Sequence, residues 1–341
     1  MKKYLLEPRD GAPSEIVLHE VEPASLAPGE VRVRMEACSL NYRDLLMRSG
    51  LSASGGTDPV IPLSDGAGVI EEIGEGVTSW QIGDRVAPTF FRDWESGRFE
   101  MSYHTAARGG SCDGVLAESL VAPAHSIVRV PDYLSAAEAA TLPCAALTAW
   151  HAMMERGHPV GPGDTVLCLG TGGVSIFALQ IAKAVGARVI LTSGSDEKRE
   201  LAHRLGADET INYRETPDWD REVYRLTDKR GVDAVIEVGG PGTLEKSMNS
   251  VAAGGFISLI GVLTGFDAPD ASLFPLVKKN VDLQGIYVGS RAMFERMNLF
   301  LEQHQIRPVI DSTYSFETAG DAYARLKGAG HVGKIVVAVS G

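Results

Sequence analysis

The stretch TVLCLGTGGVSIFALQIAKAVGA, residues 165–187, constrains this chain more than any other. Val166, Leu167, Cys168 and Leu169 make an unbroken apolar run that ends in Gly170-Thr171-Gly172-Gly173. Phe177, Ile181, Ala184 and Val185 then recur at helical spacing. The order is strand, glycine turn, helix. A strand apolar on both faces belongs in a parallel sheet covered by helices. The glycines allow a tight turn whose backbone approaches a ligand. The helix N-terminus presents free N–H groups and a positive dipole end to a pyrophosphate. Ser175 replaces the third glycine of G-x-G-x-x-G, which predicts a helix set slightly farther from the strand.

The downstream pattern repeats the alternation. Strands are predicted at 188–192, 210–213, 233–238, 256–261 and 281–288, with helices at 197–205, 220–228, 244–251 and 273–279. With the strand at 165–169, six strands alternate with helices, an α/β doubly wound parallel sheet that binds a dinucleotide. The tail adds a helix at 291–303, a strand, a helix and a closing strand at 334–339. The first 130 residues are β-rich: EVRVRM at 30–35 alternates like a half-buried strand, and Gly55-Gly56, Asp58-Pro59 and Ile61-Pro62 mark loops. Residues 90–113 are aromatic and irregular, either a wall or lid of an acceptor pocket or a packed Ω-loop. A helix is predicted over 135–156, started by a Ser135/Glu138 capping box and kinked or split at Pro143.

The chain has 341 residues, enough for two domains, and a formal net charge of −12. That charge argues against nucleic acid or an anionic membrane as partner. Cys38, Cys112, Cys144 and Cys168 form no C-x-x-C and no disulfide framework. With no signal-peptide pattern in MKKYLLEPRDG and no membrane-length apolar run, a cytoplasmic protein is expected. The bland reading of Cys38 and Cys168 is core packing.

Several further stretches resemble the medium-chain dehydrogenase/reductase superfamily over essentially the whole chain. They are Ala37-Cys38-Ser39-Leu40-Asn41-Tyr42-Arg43-Asp44, Asp65-Gly66-Ala67-Gly68, Gly83-Asp84-Arg85-Val86, Asp113-Gly114-Val115-Leu116-Ala117-Glu118, Ala146-Leu147-Thr148-Ala149-Trp150 and Gly333-Lys334-Ile335-Val336. The N-Y-R-D run is similar to the zinc-independent, quinone-oxidoreductase-like branch. The resemblance implies a GroES-like β-barrel catalytic domain (1–127 and 290–341) around a Rossmann NADP-binding domain (128–289), with the active site in the cleft between them. It also implies a homodimer joined at the sheet edge 281–288.

Zinc alcohol dehydrogenases of this superfamily carry Cys, His-Glu and Cys at three motif positions, which here read Asn41, Ser64-Asp65 and Cys144. An amide and a hydroxyl are poor substitutes for imidazole and thiolate, so no metal is expected. At the end of the second strand, where an NAD enzyme carries Asp or Glu, stands Ser193. By resemblance, Ser193, Lys198 and Tyr213 hold the 2′-phosphate of NADP; Asp196 or Glu197 on the ribose, favouring NAD, is the competing reading. The resemblance further assigns cofactor contacts to Thr148, to the turn Gly170, Gly172, Gly173 and Val174, to Gly239, Gly261 and Val262, to Val288, Gly289 and Ser290, and to Lys334. Asn41 is expected to orient the acceptor, with Tyr42 a second donor or a packing residue. Arg43 and Asp44 read equally as an internal ion pair. Without a metal to make an alkoxide, the expected reaction is NADPH-dependent hydride delivery to a small electrophilic acceptor: a quinone, an enal or enone, or an enoyl thioester. An alcohol dehydrogenase and a catalytically idle NADPH-binding relative acting through a partner are the alternatives.

Overall fold

In chain order the elements are β1 Lys2–Arg9, β2 Ala12–Glu20, β3 Glu30–Leu40, α1 Tyr42–Arg48, β4 Asp65–Ile73, β5 Arg85–Pro88, β6 Ser119–Pro123, β7 Ile127–Arg129, α2 Ala136–Ala139 and α3 Leu147–Met154. The series continues β8 Thr165–Leu169, α4 Gly173–Ala184, β9 Arg188–Ser193, α5 Asp196–Arg204, β10 Glu209–Asn212, α6 Trp219–Leu226, β11 Val232–Glu237, α7 Pro241–Ser250, β12 Val251–Leu259, α8 Phe274–Lys279 and β13 Asp282–Gly285. It closes with α9 Arg291–His304, β14 Ile310–Ser315, α10 Ala319–Lys327 and β15 Lys334–Ala338. This computed structural model describes residues 1–9, 12–50, 59–267 and 271–339; Gly55, Gly56 and Asp58 of the expected loops lie outside them.

The chain divides into two units, Met1–Leu147 with Val288–Gly341, and Thr148–Tyr287. In the first, β3 is the central strand. It pairs antiparallel with β4, β6 and β15, in a seven-stranded sheet of order β14-β15-β3-β4-β5-β7 with β6 beside β3. Val31, Val33 and Met35 point inward and are fully buried, as the alternating pattern predicts. They join Leu63, Ile70, Val86, Leu116 and Ile127, with Tyr323 from α10, in one core. The second unit holds the parallel sheet β10-β9-β8-β11-β12-β13, and every pairing in it is parallel. That order runs outward both ways from β8, the doubly wound arrangement read from the sequence.

Three boundaries differ from expectation. Residues 128–147 go with the first unit, because β7 pairs with β5 and the Cys144 N–H donates to Asp65 Oδ2 at 3.2 Å. The helix expected over 135–156 is split: Ser135 caps α2 by accepting from the Glu138 N–H, a π turn spans Leu142–Ala146 around Pro143, and α3 resumes the α geometry. Proline has no N–H to continue the ladder. The strand expected at 281–288 is only four residues long, and Val288 adopts a φ of 54°, which no extended strand allows.

Candidate active site

Register alone brings three polar side chains together. Ile335 pairs with Leu40, and Ser39 pairs with Asp65. Lys334 therefore stands opposite Asn41, the residue that follows β3, with Asp65 opening β4 beside it. The Lys334 ammonium, 2% exposed, donates to the Leu40 carbonyl at 2.6 Å and to Asn41 Oδ1 at 2.5 Å. It lies 3.7 Å from Asp65 Oδ2. Asp65 is fully buried; its Oδ1 accepts from the Ser64 hydroxyl at 2.7 Å and its Oδ2 from the Cys144 N–H. Burial pushes the Asp65 carboxyl up, while Lys334, Asn41 and Ser64 pull it back. The Asn41 amide is thus close enough to favour the carboxylate, yet its Nδ2 is shielded from solvent and makes no hydrogen bond of regular geometry.

Asn41 also starts α1. Its N–H donates to Asp44 Oδ2 at 2.7 Å, so a carboxylate holds the first turn. Asp44 is buried, and Arg43 Nη1 stands 3.6 Å from its other oxygen, the internal pair anticipated from sequence. Arg43 also donates to the Arg108 carbonyl at 2.8 Å and lies 4.6 Å over the Phe90 ring. Tyr42, the first residue of α1, is 40% exposed.

The loop at 90–113 packs on itself. Phe90, Phe91 and Trp94 are buried, and Trp94 stacks on Tyr103 at 5.9 Å. Arg108 is buried beneath it, donating to the Thr89 carbonyl and the Ser126 hydroxyl. The Trp94 and Glu95 carbonyls accept from the Arg291 and Ala292 N–H groups, satisfying the otherwise orphaned start of α9. Ser290 caps the same helix through the Met293 N–H, and a Cβ on Gly289 would meet Leu147 at 2.9 Å.

In the second unit Gly170 turns the chain at φ 73°, and its N–H donates to the Thr192 carbonyl at 2.9 Å. Gly172 caps α4, which Gly173 and Val174 begin. A Cβ on Gly170 or Gly172 would meet nothing within 4 Å, so the turn has open space for a phosphate. Ser175 does more than replace a glycine: its hydroxyl donates to the Leu169 carbonyl at 2.6 Å, tying α4 to the end of β8. Ser193 ends β9, buried, and Tyr213 lies exposed just past β10. Lys198 is the third residue of α5, capped by Ser195. Asp196 already accepts from Arg199 and Asn212. Thr148 is buried on α3.

Two residues escaped the sequence reading. Glu237, fully buried at the end of β11, accepts from the N–H groups of Gly239 and Gly240 at 2.7 and 3.0 Å, and from the hydroxyls of Thr243 and Ser247. It fixes the turn that carries Gly239, while Gly261 lets the next turn come close: a Cβ there would stand 1.6 Å from the Val238 carbonyl oxygen. A strand-ending Glu before Gly-Gly was the only signal. The other is Arg214, whose Nε lies 2.9 Å from where a Cβ on Gly194 would be.

A zinc-binding dehydrogenase family model matches residues 173–303, and an alcohol dehydrogenase GroES-like domain model matches 27–132. The chain belongs to the medium-chain dehydrogenase/reductase superfamily. It is 44% identical to a zinc-type alcohol dehydrogenase-like protein of Schizosaccharomyces pombe, with 93% of each chain covered. A crystal structure of a putative alcohol dehydrogenase from Sinorhizobium meliloti is 42% identical, with a TM-score of 0.92 over 99% of this chain and 98% of that one. A structure described as an NAD-dependent alcohol dehydrogenase is 32% identical, with a TM-score of 0.89 and full coverage of both chains. The protein is an oxidoreductase of the alcohol dehydrogenase type, and its open glycine turn leaves room for a phosphate.

The other group this superfamily implies, a catalytic zinc, does not fit the residues present. Lys334 holds Asn41 Oδ1, both Asp65 oxygens have donors, burial pushes the Cys144 thiol up, and an ammonium stands among them. Among the described residues no three His, Cys, Asp or Glu side chains group as metal ligands. No helix of the described residues is long and apolar enough to cross a membrane.

Proposed function

We propose that this chain is an NADPH-dependent reductase that works without zinc and delivers hydride to an activated acceptor: a quinone, an enal or enone, or an enoyl thioester. The observation that carries the reading is the Lys334 ammonium fixed between Asn41 and Asp65, a cation already resident among the groups that would have to bind a metal. Without a Lewis acid an alcohol is hard to oxidise near neutral pH, whereas an electrophilic acceptor needs only positioning and stabilisation of developing charge.

The reduced nicotinamide, when bound, supplies the hydride. The Gly170–Gly173 turn and the start of α4 receive its pyrophosphate, and Ser193, Lys198 and Tyr213, with Arg214 beside them, receive the 2′-phosphate. Gly239, Gly261 and Val262 present backbone to the rest of the cofactor, as do Val288, Gly289 and Ser290. Asn41, held by Lys334 at the end of β3, orients the acceptor. Tyr42 is the second donor. The chain forms a homodimer through β13, and its four free thiols suit the reducing cytoplasm.

An alcohol dehydrogenase is the second reading, favoured by the names of the relatives. The deciding experiment follows nicotinamide absorbance with NADPH against quinones, enones and enoyl thioesters, and with NADP against primary and secondary alcohols. Turnover confined to the first set supports the proposal; turnover confined to alcohols overturns it. Tight NADPH binding with no turnover in either set overturns it in favour of an idle relative.

A further inference from the structure

Asn212 ends β10, where parallel register sets it beside Ser193 at the end of β9. It is 8% exposed, and both ends of its side-chain amide are used. Its Oδ1 accepts from the Arg214 N–H at 3.1 Å, the bond of an Asx turn. Its backbone carbonyl accepts from the Glu215 and Thr216 N–H groups, which closes the same turn. Its Nδ2 donates to Asp196 Oδ1 at 3.0 Å, across to the start of α5.

These two bonds act on opposite charges. The turn carries Tyr213 and Arg214, and it brings the Tyr213 hydroxyl and Arg214 Nε to within 3 Å of where a Cβ on Gly194 would stand. The Arg214 guanidinium makes no hydrogen bond or ion pair with any described residue, so a cation is held ready at the end of β9. Asp196 is the opposing group, since a carboxylate at this end of the sheet favours ribose hydroxyls and repels a 2′-phosphate. Its Oδ1 is shared between Arg199 at 2.8 Å and Asn212. Both bonds favour the ionised form and hold the carboxyl below its usual range, Arg199 contributing more than Asn212. An amide offers an acceptor and a donor at once, whereas a carboxylate offers only the first.

We propose that Asn212 is a positioning residue that sets the preference for a 2′-phosphate: one amide fixes the turn that brings Arg214 to Gly194 and restrains the Asp196 carboxylate that opposes the phosphate. This rests on the NADPH reading above and adds to it the residue that arranges the site. Asn212 acts through Arg214 and Asp196.

The test uses the full chain and two probes that differ only in the 2′-phosphate, 2′,5′-ADP and 5′-AMP, titrated by calorimetry. The unmodified protein should bind 2′,5′-ADP about tenfold more tightly or better. Asn212→Ala should weaken 2′,5′-ADP about tenfold and leave 5′-AMP within about twofold. Asn212→Asp keeps an acceptor for the Arg214 N–H but sets a second carboxylate against Asp196, so its loss should be at least as large. Asn212→Asp/Asp196→Asn returns one donor and one carboxylate to the pair, and should restore 2′,5′-ADP binding to within about threefold of the unmodified protein. This pair of variants also decides the matter should Asn212→Ala fail to fold. Equal weakening of both probes marks a merely structural residue and overturns the proposal, as does an unchanged affinity for 2′,5′-ADP.

Hydrogen exchange at the Arg214 N–H reads the turn without any cofactor. It should be slow in the unmodified protein and in Asn212→Asp, and fast in Asn212→Ala. Fast exchange in the unmodified protein overturns the proposal. Equal affinity of the unmodified protein for the two probes, with that N–H protected, overturns the NADPH reading and the specificity role together; a preference that survives in every Asn212 variant overturns the role alone.

Discussion

Tyr213 folds back over Gly194: its hydroxyl lies 2.7 Å from the point where a Cβ on Gly194 would stand, and its N–H donates to the Ser193 carbonyl at 3.1 Å. The glycine makes room for the ring, and the ring brings a hydroxyl to the end of β9. Arg214 arrives at the same place, adding a cation that a 2′-phosphate can use.

NADPH should therefore bind more tightly than NADH by calorimetric titration. Ser193→Asp should weaken NADPH about tenfold or more, because a carboxylate repels the phosphate and a charge-assisted bond is lost. Arg214→Ala should weaken NADPH and leave NADH nearly unchanged. Equal affinities in the unmodified protein would refute the assignment.

Purified protein should hold no stoichiometric zinc, and its activity should survive chelation. Elemental analysis after dialysis measures this. One zinc per chain, with activity lost to a chelator, is the contrary result.

Asp44 should give the stability a pH slope. Burial pushes its carboxyl up to about 6 from 3.8, against the pull of Arg43. Between those values the folded chain keeps a proton that the unfolded chain has released, so this contribution to stability falls as pH rises and levels off above about 6. The change is on the order of 2–3 kcal/mol. Urea unfolding of the unmodified protein and of Asp44→Asn from pH 4 to pH 7 should show this slope in their difference; parallel curves would rule it out.

Glu237→Ala should destabilise the second unit by about 3–5 kcal/mol, since it leaves four donors without their acceptor in a buried turn. Denaturant midpoints report this. A loss below about 1 kcal/mol would show that the turn holds without the carboxylate.

The homodimer should be visible by light scattering at micromolar concentration. β13 ends its sheet, and Phe274 and Val277 on α8 are 66% and 77% exposed. An open edge with apolar side chains near it invites two-fold pairing. Val277→Asp should shift the population toward monomer; a monomeric unmodified protein would contradict the proposal.

The sequence by itself determined the elements of the Rossmann unit. Period and punctuation are local: an apolar run closed by glycines, or residues spaced by a helical turn, reads the same in any context. The β8–α4 turn, the six parallel strands and the outer position of β13 follow from that, and Pro143 announced the break between α2 and α3. The extent of the elements was less legible. Whether 128–147 packs with one unit or the other depends on β7 finding β5, a contact far away in sequence. So does the shortness of β13, which ends before the positive φ of Val288.

The tertiary structure alone decided what Lys334, Glu237 and Arg214 stand beside. Lys334 and Asn41 are 293 residues apart and meet because β15 lies antiparallel to β3. In the sequence Lys334 is a cation in a motif, equally suited to a phosphate. Its burial and the acceptors around it, fixed by strand register, place it beside an amide and a carboxylate within its own unit. Charge and residue type are written in the chain, but the partner that satisfies a buried polar group is set by which strands pair.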